Sequence, residues 1–373
     1  MIIRYWYIIL NKIYGILIPD MRKIFYYSII ALLFCTYQSS AQDKHFTQYY
    51  AVPTTINPAL TGAFKGKYRM GIVRRDQWRQ TLETPYVTFA GGVDVRFNTT
   101  YKKKVSDAVG VGLLFFNDKV DDSGFRTTQM ALAGAFHKAL DQSGLHYLTI
   151  GTQFAINQRS VNYENLTFED QYNGISGYTL PTGEDLPENN FSFFDMAIGL
   201  NYTFSPSHRT TFFVGGAIHH LAEPNVSFLA ANPNTEISIP EPNNLFRKYS
   251  GQFAARFPVG DQLFLIPRAL FSIQGPHIEI NAGSNVRISM GDYTPFGLYL
   301  GSWVRPVRNA DNSFGLDAVI AMVGLEFNNL LFGFSYDLNI DDLALPGPRR
   351  SSFEISIAYL GNFENEEILC PKF

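Results

Sequence analysis

Imidazole is a common metal ligand and a general base near neutral pH, so the seven histidines come first. His219 and His220 are adjacent, and neighbouring side chains of a strand point to opposite faces, a poor chelating geometry. His45, His137, His146, His208 and His277 are scattered, with no HExxH spacing and no cysteine beside them. No serine sits in a G-x-S-x-G elbow, and neither a GxGxxG nor a Walker loop occurs. The glycines of "GGVD" and "VGVG" read as strand residues chosen for close packing. Carboxylates recur where Arg96, Arg268 or Arg287 would hold them in structural ion pairs rather than as acid–base catalysts. The chain reads as a non-enzyme without metal or cofactor.

A different chemistry is offered by "RRDQWRQTLETPY", residues 74–86, which gathers Arg75, Gln77, Trp78 and Arg79. Arginine and tryptophan are favoured at the centres of protein–protein interfaces. The same residues would also serve as a membrane-interface anchor, the tryptophan at headgroup level and the arginines reaching lipopolysaccharide phosphates. Both readings fit.

The elements that must position these residues are strands. Of 373 residues, 17% are charged, against about 25% in ordinary soluble domains, while 15% are aromatic and 30 are glycine. That enrichment favours strands and turns. A net charge of -3 gives no reason to expect a nucleic-acid partner. From Met21 the chain reads as a secretory leader: Arg22 and Lys23, an apolar run from Ile24 to Phe34, then Ser39-Ser40-Ala41. Cleavage is expected after Ala41, residues 1–20 being an upstream start. Bulky Phe34 before Cys35 argues against lipid attachment, and removal of the leader leaves Cys370 as the single thiol, free or paired with another chain.

In "FFDMAIGLNYTF" Phe194, Met196, Ile198, Leu200 and Tyr202 share one face, and Asp195, Ala197, Gly199 and Asn201 the other. The pattern recurs in "YVTFAGGVDVRF", "TTQMALAGAFHK", "IEINAGSNVRI", "FGFSYD" and "FEISIAY", with Asp94, Arg96, Glu279, Arg287, Asp337 and Glu354 on the polar faces. Segments 145–155 and 314–325 alternate poorly. One greasy and one polar face suits a soluble sandwich or a membrane barrel; aromatic residues ending the greasy faces favour lipid. Every backbone polar group in hydrocarbon needs a partner inside the protein, so such a sheet must close.

Extended segments fall at 68–76, 85–97, 106–117, 124–138, 144–157, 192–204, 209–219, 245–256, 261–273, 276–288, 293–304, 314–326, 329–338 and 351–361. The expectation is an all-β, antiparallel transmembrane barrel of about fourteen strands over 68–373, with residues 42–67 a mostly irregular periplasmic segment tucked against the inner mouth. The longest connections, near 158–191, 220–244, 305–313 and 339–350, all fall on one side, as long outer loops and short periplasmic turns require.

Several blocks in order carry a resemblance: "QDKHFTQYYAVPTTINPALTGAF" with Gln48, Tyr49, Asn57, Pro58, Ala59 and Gly62; "YRMGIVRRDQW" through "TPYVTFAGGVD"; "FFVGGAIHHLAEPNVSF" with His220 and Pro224; and "FGFSYDLNIDDL" with "SSFEISIAYL". Together they resemble the PorP/SprF family of the Bacteroidetes type IX secretion system across the mature chain. The family's arginine in the second block corresponds to Arg69 or Arg75. The resemblance implies an outer-membrane barrel beside the secretion and gliding machinery, which exports or retains a secreted cargo through its C-terminal domain or joins periplasmic translocon components. Asn57, Pro58, Arg75, Gln77, Trp78, Arg79, His220 and Pro224 are the partner-binding candidates, with outer loops expected to meet cargo and the N-terminal segment the periplasmic assembly. The rival reading is an outer-membrane channel for small solutes.

Overall fold

A computed structural model describes residues 45–361, except 81, 83, 100–104, 121–123, 185, 229–242, 291–295, 310–311 and 341–349. The leader, its cleavage site, Cys35 and Cys370 lie outside the described residues.

The alternating segments are strands: β1 Tyr68–Gln77, β2 Tyr86–Asn98, β3 Ala108–Val120, β4 Phe125–Ala139 and β5 His146–Ser160. They continue as β6 Asn190–Ser207, β7 Thr210–His219, β8 Lys248–Pro258, β9 Leu263–Gln274 and β10 His277–Met290. The last four are β11 Phe296–Arg308, β12 Phe314–Phe327, β13 Leu330–Asn339 and β14 Ser351–Gly361. Each pairs antiparallel with its chain neighbours, and β1 closes on β14 from Tyr68–Gly361 to Gln77–Ser352, giving a closed fourteen-stranded barrel. No strand edge is left open, as hydrocarbon demands.

Side chains sort by pleat. Leu113, Met130, Leu132, Ile156, Phe194 and Leu200 point outward and are exposed, while Thr149, Gln153, Asp195, Asn201, Asn281 and Asn285 point inward and are buried. So continuous an apolar exterior far exceeds the patches that soluble monomers carry, and it matches a lipid-facing belt. No helix among the described residues is long and apolar enough to cross a membrane. Aromatic pairs mark both rims of the belt: His146 stacked on Phe204 at 4.6 Å at one end, Trp78 tilted against Tyr86 at 5.2 Å at the other.

The connections are unequal. The connections of 29 residues after β5 (161–189) and 28 after β7 (220–247) leave from the end where those strands finish, while β6–β7 and β12–β13 turn through two residues each at the opposite end. We refer to these as the long-loop and short-turn ends.

The N-terminal segment departs from the expectation. It does not rest against a mouth but fills the lumen. Phe46 to Phe64 are buried apart from partly covered Thr55 and Ile56, and the chain is compacted by three 3₁₀ turns at Tyr49–Ala51, Pro53–Thr55 and Pro58–Leu60. Proline opens two of these turns, its fixed φ suiting the first position, and the Asn57 side chain caps the third by accepting from Ala59 N at 2.8 Å.

Candidate functional site

The plug ascends the lumen on a track of inward strand glycines. A Cβ at Gly110 would overlap the Thr61 backbone, at Gly151 that of Ala59, at Gly71 that of Ala51, and at Gly199 the Asn57 side chain. Only glycine lets plug and wall approach so closely. At the short-turn end Asp94 accepts from Arg69 Nη2 at 2.6 Å and Gly62 N at 2.7 Å, and Arg96 donates to the Gly62 carbonyl at 2.9 Å. His137 Nε2 donates to the Thr61 carbonyl at 2.8 Å while its Nδ1 accepts from Thr149 at 2.9 Å. Midway, Asn57 donates to the carbonyls of Leu200 at 3.1 Å and Gly216 at 3.2 Å, and the Ile56 carbonyl accepts from Ser250 and His219.

Nearer the long-loop end the plug meets a buried charge cluster. Arg75 Nη1 lies 2.6 Å from Glu354 and 2.9 Å from Asp337, and Arg305 Nη2 lies 2.7 Å from Asp337. Arg305 also lies 3.4 Å from the partly exposed Asp317, so two cations face three carboxylates before the plug adds hydrogen bonds. The amides of Thr47 and Gln48 each donate to one Glu354 oxygen at 2.8 Å, and the Thr47 hydroxyl accepts from Arg305 at 2.5 Å. Gln48 donates to Ser335 and accepts from Ser356 at 2.7 Å. His45 sits 3.1 Å from Glu279, three residues from the β9–β10 hairpin of the long-loop end. Tyr49 and Tyr50 pack on Trp303, whose indole N–H donates to Asn285 at 3.0 Å.

The lumen candidates Asp94, Arg96, Asp195, Glu279, Arg287, Asp337 and Glu354 all project inward. Of the three arginines expected to hold carboxylates, Arg287 does so and Arg96 and Arg268 do not. Asp94 takes Arg69, Asp337 and Glu354 share Arg75 and Arg305, and Arg287 pairs with Glu326 at 2.7 Å. Arg96 serves a carbonyl, and Arg268 lies over the Tyr50 ring at 4.1 Å.

The partner-binding candidates separate into two groups. Asn57, Pro58, Arg75 and His220 are buried and engaged within the barrel. Gln77, Trp78, Arg79 and Pro224 stand at the long-loop end, where Trp78 packs at a tilt against Tyr86 and Arg350 lies 5.1 Å from its ring. The two adjacent histidines do not point to opposite faces. Backbone φ turns positive (60°) at His220 as β7 ends, so both rings turn inward, and His220 Nδ1 donates to Asp195 at 2.6 Å. Among the described residues no cluster of three histidine, cysteine or acidic side chains could hold a metal.

Sequence reasoning passed over Thr47 and Arg305. Arg305 had a signal in the following Pro306, since a proline inside a strand marks an irregularity, and the β11–β12 register shifts there.

A closed barrel with an apolar belt and its own N-terminal segment for a plug defines the class: an outer-membrane β-barrel with a filled lumen. The family model described as type IX secretion system membrane protein PorP/SprF matches residues 38–359, and the chain belongs to that family. No curated protein matches the sequence. Among solved structures it is similar to a Pseudomonas aeruginosa FadL homologue, at 11% identity and TM-score 0.44 over 81% of this chain and 92% of that one. It is also similar to CdiB from Escherichia coli, at 12% identity and TM-score 0.42 over 78% of this chain. The chain spans 63% of the length of that CdiB. BamA from Haemophilus ducreyi aligns at 8% identity and TM-score 0.40 over 79% of this chain and 71% of that one.

Proposed function

We propose that this barrel is a plugged docking element of the type IX secretion machinery, holding the C-terminal domain of a secreted cargo protein at its long-loop end, which faces outward once the leader is removed after Ala41. The observation that carries the proposal is the filled lumen. A barrel whose interior is occupied by its own chain, bonded to both ends of the wall, offers partners its two rims rather than a path for solutes. On the long-loop rim residues 169–184 build a hydrogen-bonded projection. Asn173 Oδ1 accepts from the amides of Ile175, Ser176 and Gly177, Tyr172 bridges to Tyr178, and Ile175 stands 87% exposed at the tip. Exposed apolar residues on a rigid turn suit a protein partner. The second loop is tied at its base, where Val226 N donates to the Asn243 carbonyl, Arg159 donates to the Val226 carbonyl at 3.2 Å, and Phe228 packs edge-on against Phe191. Gln77, Trp78, Arg79 and Pro224 border the same rim. The short-turn rim is the surface left for periplasmic translocon components.

The test removes residues 229–242 and joins Phe228 to Asn243 through a short Gly–Ser link, keeping the tied base. Surface retention of cargo should be lost while the barrel still shifts in gel mobility on heating. Unchanged retention would overturn the loop assignment. Affinity isolation of the full-length protein from detergent extracts should bring down a cargo C-terminal domain from intact cells and lose it with the deletion.

A further inference from the structure

Between the plug and strands β7, β8 and β9 lies a cavity of about 70 Å³. One water needs roughly 10–15 Å³ of such space, so a compact ion with a water or two fits and an extended molecule does not. Ile56 and Leu60 of the plug and Phe213 and Ile266 of the wall give the cavity apolar sides. The rest of its lining is cationic or polar: Arg69, Arg256 and Arg268, with Gln252 and Thr211 from the wall and Tyr49 from the plug.

Other buried arginines of the lumen have answering carboxylates: Arg69 has Asp94, Arg75 has Glu354, Arg287 has Glu326 and Arg305 has Asp337. Arg268, only 5% exposed, makes no ion pair among the described residues, and its Nη1 is buried without a hydrogen-bond acceptor. The Tyr50 ring, 4.1 Å away, covers one face of the guanidinium but accepts nothing from its N–H edge. A second donor is in the same position: the Tyr49 hydroxyl is buried and has no hydrogen-bond partner. Gln252 holds Asn201 only at 3.5 Å, so its amide can rotate to present its NH2 to the same space. Arg256, whose guanidinium lies over the Phe264 ring at 4.3 Å, adds positive charge at the cavity wall. A buried cation and a buried hydroxyl without acceptors are each costly, and one anion between them would answer both.

We propose that this cavity binds a small monovalent inorganic anion of the halide class, chloride above all, between Arg268 of β9 and the Tyr49 hydroxyl of the plug. The anion thereby fastens plug to wall. Its class follows from the lining. A tetrahedral oxyanion needs donors for four oxygens, and the apolar sides would leave most of them unanswered. A halide is compact, accepts from any direction and tolerates apolar neighbours where no donor reaches it.

The direct test is crystallographic: full-length mature protein crystallised with bromide in place of chloride, with anomalous scattering recorded at the bromine edge. A peak in the cavity beside Arg268 and Tyr49 is expected, and bromide peaks confined to other places overturn the site without relying on any variant. The second test follows protease cutting within residues 46–64, at a temperature where the plug is cut slowly, in sodium chloride and in sodium gluconate at equal ionic strength. Chloride should slow the cutting saturably. Arg268→Gln should raise the half-saturating chloride concentration about 10- to 100-fold, the loss of a charge-assisted hydrogen bond, and Tyr49→Phe about 3- to 10-fold. Equal cutting in the two salts, or an unchanged chloride dependence in an Arg268→Gln barrel that still shifts on heating, overturns the proposal. Sulfate or formate protecting at lower concentration than chloride overturns the halide assignment.

Discussion

Arg305 shows how strongly single residues fix the plug. It is fully buried and bonds both Asp337 on the wall and Thr47 on the plug. Removing one member of a buried ion cluster leaves the others uncompensated, so Arg305→Met should destabilise the closed state by about 3–5 kcal/mol. The measurement is the temperature at which the compact gel form converts to the unfolded one. Arg247→Met, at a pair with Glu223 exposed on both sides, should leave that temperature unchanged. Lys65 adds a pH dependence. Burial, reinforced by Arg256 and Arg96, lowers its pKa from 10.5 to about 8. Between those values the unfolded chain binds more protons than the folded one, so stability should rise from pH 8 to 10.5 and stay level just below pH 8. Lys65→Met should flatten that rise. At this scale the sequence was partly legible. Charged residues at mid-strand could be assigned to the lumen, but which acid meets which arginine depends on register across the barrel. Asp94 and Arg69 are paired neighbours on β1 and β2, whereas Arg75 and Asp337 meet across β14.

At the scale of elements, the glycine track predicts what happens when plug and wall no longer fit. Gly199→Val on β6 places a branched side chain where the Asn57 amide lies. The expected outcome is an expelled plug and an intact barrel: a protease should cut within residues 46–64 while the strands stay protected. Continued protection of the plug would show that β6 can yield. The strands that alternated poorly in sequence have a structural explanation on β12. Its inward Ile320 and Met322 are apolar because they belong to the cluster around Tyr49, Tyr50 and Trp303. The register shift at Arg305/Pro306 moves the alternation by one residue near Ala318. A greasy inner face against a greasy plug erases the period-two signal that a water-facing lumen would leave. β5 is different: Thr149, Gln153 and Asn157 point inward and Ile150, Phe154 and Ile156 outward, a regular alternation.

For the whole molecule, the filled lumen predicts electrical silence. A closed sheet of this strand number encloses more space than its own inward side chains fill, and here the N-terminal segment takes it up. The intact protein in a planar bilayer should show no steady ionic conductance, and deletion of residues 42–64 should open one. The barrel should survive that deletion, since all fourteen strands are paired without the plug. Steady conductance by the intact protein would mean that the plug does not seal the path, and would favour the solute-channel reading.

The sequence by itself determined the barrel. Lipid contact is written locally, in alternate residues of each strand, and hairpin connectivity follows from turns a few residues long, so strand number, pleat face and the unequal ends could all be read along the chain. The plug's place was decided only by tertiary structure. The run from Phe46 to Phe64 has no helical or strand period, and its prolines and small polar residues look like a surface linker. Its burial arises because Glu354, Asp337, Gly151 and Gly199, brought together from strands far apart in sequence, form a wall that accepts from the Thr47 and Gln48 amides and the Thr47 hydroxyl and leaves room for Ala59 and the Asn57 side chain. A segment whose partners exist only after the sheet has closed carries no sign of its position in its own residues.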